Sequence, residues 1–160
     1  MREGRAPRGA SHSRRRSRRS AARRSRVRYR GATRLGEPRL HRVPGDGNCQ
    51  FHAVAHALSQ HPSRAREVSP AALRHAAAHH IQTHPKLHAF ADYDVSTLHR
   101  DGVYGDHLTL HALATVLNTD ILVMQPDGRE VLITGARTQA HGTPLILFHR
   151  PEAHYDSVLI

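Results

Sequence analysis

Apolar residues recur at helical spacing in three stretches of the chain. The first stretch repeats them at i, i+3, i+4 and i+7. Its members are Phe51, Val54, Ala55 and Leu58. Because this spacing lies on one helical face, it predicts a helix that begins near Cys49.

A second helix is predicted to begin at Ser69-Pro70, where Ser suits the N-cap and Pro suits the first helical position. Leu73, Ala77 and Ile81 line its apolar side, and His84-Pro85 is expected to end it. Residues 59–68, between the first two helices, are predicted to form a loop.

The third helix is predicted to follow Asp106 as its N-cap and to end at Asn118 in the left-handed conformation. Its apolar face, expected to pack on the sheet that follows, contains Leu110, Leu113, Ala114 and Leu117. Residues 86–105 carry no long pattern because polar residues and Gly102 interrupt it. A short helix is one possibility there, and the structure of this stretch stays open.

Four strands are predicted after the third helix. Residues 121–124 and 130–134 flank Pro126-Asp127-Gly128, a sequence typical of a hairpin turn. Residues 145–148 and 154–160 are the other two candidates. Helices first and strands last predict an α+β domain in which helices pack on a small mixed sheet.

Charge divides the chain near residue 40. Residues 1–40 contain 15 Arg and 2 Glu, whereas residues 41–160 contain 8 Arg, 1 Lys and 11 Asp plus Glu. The first segment has no Leu, Ile or Phe before Leu35, so it cannot bury enough apolar surface to offset the entropy lost on ordering. We therefore predict a disordered Arg/Ser-rich tail over residues 1–39 and a folded domain over residues 40–160.

Several uses of this tail stay open. It can be an arm that binds nucleic acid or a nuclear import factor, an organelle transit peptide, or a linker cut from a longer polyprotein. No apolar run approaches the ~20 residues of a membrane span, and none follows the N-terminal charges as in a signal peptide. These patterns predict an intracellular protein, cytoplasmic or nuclear, with no membrane partner. A viral protein in a host cell also fits.

Cys49 is the only cysteine, so no internal disulfide can form. It follows the loop Gly45-Asp46-Gly47-Asn48 and begins the first predicted helix. The positive end of a helix dipole favours a thiolate there, and the loop can aim backbone N–H groups at an oxyanion. Cys49 is therefore a candidate nucleophile, and a small buried side chain is the alternative.

The segment His154-Tyr155-Asp156-Ser157-Val158 offers a base for such a nucleophile. Residues two apart in a strand share a face and rise about 6.6 Å, so the Asp156 carboxylate can reach the His154 imidazole. An imidazole oriented by a carboxylate is the base that a cysteine nucleophile needs.

Together these motifs resemble the ovarian-tumour (OTU) family of cysteine proteases. The family hallmarks are Asp-Gly-Asn-Cys followed by an aromatic residue, and His-aromatic-Asp/Asn-Ser-Val near the end. They stand here at residues 46–51 and 154–158. Between them, Tyr104-Gly105-Asp106-His107 is similar to the family's Trp-Gly-Asp/Gly-His segment, with Tyr for the commoner Trp. The three matches cover residues 43–160.

The resemblance implies a papain-like α/β protease of OTU fold that acts as a deubiquitinase without a cofactor or metal. It implies Cys49 as nucleophile and His154 as general base, oriented by Asp156. It also implies Asp46 as a catalytic residue, which would act mainly by shaping the oxyanion loop with Gly47 and Asn48. The implied substrate is the C-terminal Gly-Gly tail of ubiquitin, or of a ubiquitin-like modifier, joined to Lys by an isopeptide bond. The implied partners are ubiquitin and ubiquitinated proteins.

Other classes of function stay open. Cys49, His52 and His56 fall at i, i+3 and i+7 of one helix, and His75 with His79 forms an i, i+4 pair, so a zinc site is one alternative. A catalytically silent ubiquitin-binding module is another, and an RNA-binding protein acting through the Arg-rich tail is a third. We favour the hydrolase because its three catalytic positions are intact.

Overall fold

The computed structural model describes residues 38–63, 65–135, 142–150 and 154–159. Residues 1–37 of the predicted tail lie outside this part of the chain, so the tail and its boundary with the domain stay predictions. In chain order the described elements are β1 (Leu40–His41), α1 (Cys49–Ser59), α2 (Pro70–Thr83), α3 (Pro85–Phe90), a 3₁₀ helix (Val95–His99), α4 (His107–Leu117), β2 (Ile121–Met124), β3 (Glu130–Ile133), β4 (Leu145–Arg150) and β5 (His154–Val158).

The ends of α2 and α4 lie where their capping residues predict them. The hydroxyl of Ser69 accepts a hydrogen bond from the Ala72 N–H at 3.1 Å. Oδ1 of Asp106 accepts one from the Thr109 N–H at 2.9 Å. Asn118 ends α4 in the left-handed conformation at φ 49°. With α1 beginning at Cys49, all three predicted helices are confirmed.

Residues 86–105, which carry no long pattern in the sequence, lie mostly in two short helices and the loops beside them. Pro85 begins α3 directly after α2, because the extended backbone at His84 breaks the helix and Pro suits a first helical position. The side chain of Asp94 caps the 3₁₀ helix by accepting a hydrogen bond from the Ser96 N–H at 2.9 Å.

The five described strands form one mixed sheet in the order β1-β5-β4-β2-β3. Strands β2 and β4 are parallel, and the other neighbours are antiparallel. The predicted hairpin joins β2 to β3. Strand β4 extends two residues beyond its prediction to Arg150, because His149 and Arg150 pair with β5. The two-residue strand β1 is not predicted and pairs with the end of β5.

The core lies between the helices and the sheet. Helix α1 packs on β4 and β5, and α2 lies against both α1 and α4. The expectation that α4 packs on the sheet is only partly right, because α4 contacts mainly α2 and reaches the sheet at β3. Fully buried Ala77, Ala78 and Ala114 provide the small side chains that allow two helices to approach closely. Among the described helices, none has the length and apolar character needed to cross a membrane.

Candidate active site

Cys49 is the first residue of α1, and only 1% of its surface is exposed. Asn48 precedes it at the N-cap position, but the Asn48 side chain does not cap the helix. Its Oδ1 instead accepts hydrogen bonds from the Arg74 guanidinium and, at 3.3 Å, from the Gly102 N–H. The N–H groups of the first turn of α1 therefore donate no bond to the N-cap side chain, and Cys49 lies at the positive end of the helix dipole.

The loop before Cys49 is held in one shape by Asp46. Oδ1 of Asp46 accepts a hydrogen bond from the Asn48 N–H at 2.8 Å, and Oδ2 lies 3.3 Å from Nε2 of His52. The bond from the Asn48 N–H is the main reason that the pKa of Asp46 lies below its ordinary value. Gly47 has φ +81°, a conformation that favours glycine.

The imidazole of His154 and the carboxylate of Asp156 lie on one face of β5. Nε2 of His154 is 3.1 Å from Oδ1 of Asp156. Because an ionised carboxylate only accepts, Nε2 carries the hydrogen of this bond and the neutral ring keeps its lone pair on Nδ1. A Cβ on Gly45 would lie 3.8 Å from Nδ1, so this nitrogen faces the loop that leads to Cys49.

Asp156 is fully buried, and its two oxygens have different surroundings. Oδ1 also accepts a hydrogen bond from the Val43 N–H at 3.2 Å. Oδ2 lies 3.2 Å from a guanidinium nitrogen of Arg150 and 3.7 Å from one of Arg42, without the alignment of a hydrogen bond. Charge therefore balances Oδ2, while directed bonds hold Oδ1 toward His154.

The segment at Gly105 contacts the residue after the candidate nucleophile. Buried Gln50 donates from Nε2 to the carbonyl oxygen of Asp106 at 3.0 Å, and its Oε1 accepts a hydrogen bond from the Thr109 hydroxyl. A Cβ on Gly105 would lie 2.1 Å from Oε1 of Gln50, so no other residue fits there without a shift. The hydroxyl of Tyr93 donates to Oδ2 of Asp106 at 3.0 Å, and burial is the main reason that the pKa of Tyr93 is raised.

The histidines of the zinc alternative have other partners. His52 contacts Asp46, whereas Nδ1 of His56 lies 2.9 Å from the Ser157 hydroxyl and its ring stacks on His41. Nδ1 of His75 lies 3.1 Å from Nδ1 of His99, which is on the 3₁₀ helix. The sequence spacing suggests His79, not His99, as the neighbour of His75. The described residues contain no group of three or more His, Cys, Asp or Glu suited to a metal ion.

Comparison with known proteins agrees with this arrangement. The model of a family described as OTU-like cysteine protease matches residues 44–157. The chain belongs to this family. The matched residues of the OTU domain run from the loop before Cys49 to strand β5, and so include both halves of the candidate site.

A distant relative matches most of this chain. OVARIAN TUMOR DOMAIN-containing deubiquitinating enzyme 10 of Arabidopsis thaliana is 29% identical over 127 residues, which cover 74% of this chain. The matched region spans only 34% of that relative.

Solved structures share the fold. The OTU domain of OTUD1 superposes with a TM-score of 0.63 at 19% identity, covering 76% of this chain and 85% of that one. An OTU deubiquitinase from Wolbachia pipientis wMel, solved bound to ubiquitin, gives a TM-score of 0.60 at 15% identity, covering 76% and 94%. The predicted α+β class and OTU fold are thereby confirmed.

Sequence reasoning missed the buried polar residues behind the loop, Arg74 and Gln50. A signal for Arg74 was present, since Arg74, Ala77, Ala78 and Ile81 follow i, i+3, i+4, i+7 on the buried face of α2. A charge at a core position of a helical pattern marks a residue with specific partners. No comparable local signal exists for Gln50, whose partners lie 56 and 59 residues away.

Proposed function

We propose that this OTU domain hydrolyses the peptide or isopeptide bond at the C-terminal glycine of ubiquitin or of a ubiquitin-like modifier. The observation that carries the proposal is the orientation of His154, whose Nε2 is bonded to Asp156 while Nδ1 faces the loop before Cys49. The ubiquitin bound to the Wolbachia relative supports the choice of substrate.

In the first step, Nδ1 of His154 takes the Cys49 proton and the thiolate attacks the carbonyl carbon of the terminal glycine. A C–S bond forms, and the carbonyl electron pair moves to oxygen, where backbone N–H groups of the loop and of the first turn of α1 stabilise it. Collapse of this intermediate breaks the C–N bond. The imidazolium gives its proton to the leaving lysine amine, so that a thioester remains on Cys49.

In the second step, water attacks the thioester and His154 accepts its proton. The C–S bond breaks, the glycine carboxylate leaves, and the thiol is restored. Asp156 contributes by fixing the ring and by stabilising the imidazolium in both steps. Asp46 and Gly47 contribute through the shape of the loop. Asn48 also contributes through the shape of the loop, because its N–H is already bonded to Asp46 and its side chain is bonded to Arg74.

A catalytically silent ubiquitin-binding domain is the second candidate. One observation favours it. Only 1% of the surface of Cys49 is exposed, so a substrate carbonyl can reach the thiol only if the residues that cover the thiol move. Binding without turnover would then be the whole activity.

The two candidates separate in one experiment on the full chain. A ubiquitin probe with a C-terminal electrophile should label the parent at Cys49, and a fluorogenic C-terminal amide of ubiquitin should be hydrolysed. Cys49→Ala and His154→Ala should each lower turnover by roughly 10³-fold or more. The matched control is His79→Ala, an exposed histidine on α2, which should leave turnover unchanged.

Ubiquitin binding by the parent without labelling or turnover would favour the silent module. Turnover near the parent rate in Cys49→Ala would overturn the protease assignment. Probes built on ubiquitin-like modifiers, used in parallel, decide which modifier is the substrate.

A further inference from the structure

Arg74 carries a positive charge into the interior of the domain. It lies on the buried face of α2, and only 3% of its surface is exposed. None of the ion pairs among the described residues includes it. Burying an arginine costs free energy unless its donors find acceptors, and an apolar residue would complete this helical face at lower cost. Its presence calls for a reason beyond packing.

Its partners join three separate segments of the chain. Nη1 donates to the Leu98 carbonyl oxygen at 3.1 Å, and Nη2 donates to the Gly47 carbonyl oxygen at 3.2 Å and to Oδ1 of Asn48. The guanidinium also lies over the Phe51 ring, 4.4 Å from its centre. Arg74 therefore links α2 and the 3₁₀ helix to the loop that precedes Cys49.

Two of these bonds fix a single peptide group. The carbonyl of Gly47 and the N–H of Asn48 belong to the same peptide plane and point in opposite directions because the bond is trans. Arg74 binds the carbonyl end, and Oδ1 of Asp46 binds the N–H end at 2.8 Å. These two bonds oppose rotation of the Gly47–Asn48 peptide plane. The orientation of this plane sets the direction of the N–H groups on either side of it.

We infer that Arg74 is a positioning residue that holds the oxyanion loop of this enzyme in its catalytic conformation. The inference rests on the proposed function for its effect on turnover and on the hydrogen bonds above for its effect on the loop. Without the guanidinium, the Gly47–Asn48 peptide keeps only the Asp46 contact at its N–H end. The loop then samples orientations in which its N–H groups miss the oxyanion.

The test compares Arg74→Lys and Arg74→Met with the parent. Lys keeps the charge but loses the fork that reaches Gly47, Asn48 and Leu98 together, and Met keeps the apolar stem alone. Hydrolysis of the ubiquitin C-terminal amide should fall about 10²-fold in Arg74→Lys, the effect of a small misplacement of catalytic groups. Hydrogen exchange at the Asn48 N–H should become faster.

A third measurement separates positioning from general damage. Alkylation of Cys49 by iodoacetamide needs the thiolate but no oxyanion site, so its rate should not fall in Arg74→Lys. Arg129→Lys is the matched control, since Arg129 is exposed on the β2–β3 hairpin and, among the described residues, its guanidinium bonds only to the nearby Asp127. It should leave turnover and exchange unchanged.

Each outcome decides. Slower turnover and faster exchange with retained alkylation support the inference, and unchanged turnover or unchanged exchange in Arg74→Lys overturns it. Parallel losses of alkylation and turnover also overturn it, because Arg74 would then act on the thiol. If the parent hydrolyses neither ubiquitin nor a ubiquitin-like modifier, the proposed function fails, and exchange alone decides whether Arg74 holds the loop. Arg74→Lys decides these points even if Arg74→Met does not fold.

Discussion

Gly47 and Gly102 touch backbone to backbone. A Cβ placed on Gly47 would lie 1.9 Å from the carbonyl oxygen of Gly102, and both residues have positive φ, at +81° and +79°. The Gly102 N–H also donates to Oδ1 of Asn48. The loop before Cys49 therefore rests directly on the turn after the 3₁₀ helix, and the two segments set each other's position.

Gly47→Ala should consequently damage both stability and catalysis. The new methyl group forces the loop away from Gly102, in addition to the cost of about 1–2 kcal/mol for a side chain at left-handed φ. We expect a loss of well over 2 kcal/mol in the free energy of unfolding, measured with urea, and at least a tenfold fall in turnover.

Gly128→Ala is the control for the backbone cost alone. Gly128 has φ +80° in the β2–β3 turn, and no atom lies within 4 Å of an added Cβ. It should lose about 1–2 kcal/mol and retain full turnover. Equal losses in the two variants would mean that the contact with Gly102 does not constrain the loop.

Asp156→Asn should lower turnover by about 10²-fold or more with little change in melting temperature. The Asn carbonyl can still accept from the Val43 N–H and from Nε2 of His154, as Oδ1 of Asp156 does. The charge that stabilises the imidazolium is lost, so the pH profile of turnover should change as well. Arg150 is partly exposed and can turn toward solvent once its anion is removed.

Asp46→Ala should behave differently from Asp156→Asn. It removes the acceptor of the Asn48 N–H and so releases the loop. We expect a lower melting temperature and a fall in turnover on the order of 10², without the altered pH profile. Paired kinetics and thermal unfolding check both variants. If Asp46→Ala alone shifted the pH profile, the two acids would have exchanged roles.

The contrast between Ser69 and Arg74 explains what the sequence can predict. Ser69 bonds to an N–H three residues away, so the end of α2 is determined locally and follows from the sequence. Asp106 acts in the same way at α4. Arg74 instead bonds to residues 24 to 27 positions away, and β1 exists only because β5 lies beside it. Such pairings depend on the whole fold, and no local pattern encodes them.

Stability should fall as the pH drops from 7 to 5. Burial lowers the pKa of His56, His111 and His149, and a neighbouring histidine adds to the effect at His56 and His111. Unfolded histidines titrate near 6.5, so below that pH the unfolded chain takes up protons before the folded one does, and unfolding becomes easier. Above pH 7 these groups contribute no pH dependence.

The measurement is the melting temperature between pH 8 and pH 5. His56→Gln should make the fall smaller, since Gln can still bond to the Ser157 hydroxyl but does not titrate. His79→Gln, on the exposed side of α2, should change the curve less than His56→Gln does, since the charge of His79 is only the smallest of the three causes that lower the pKa of His80. A melting temperature that rises toward pH 5 would contradict the assignment.

Two truncations test where the folded domain begins. Removing residues 1–37 leaves the contacts among the described residues in place, and it should change neither the melting temperature nor turnover. If the Arg-rich tail binds nucleic acid, that affinity and its salt dependence should disappear with it.

Removing residues 1–43 should instead reduce turnover and stability, although it takes only six residues more. Those residues include β1, which pairs with β5 on the side opposite β4, and the His41 ring stacked on His56. They also include the Val43 N–H, which bonds to Oδ1 of Asp156, and Arg42, whose charge lies 3.7 Å from Oδ2.

Because Asp156 in turn orients His154, loss of these contacts should lower turnover more than substrate affinity. Measurements of kcat and KM for the ubiquitin amide separate the two effects. If the shorter truncation already lost activity, the tail would have a catalytic role. If both truncations kept full turnover, Val43 and Arg42 would have no part in orienting Asp156.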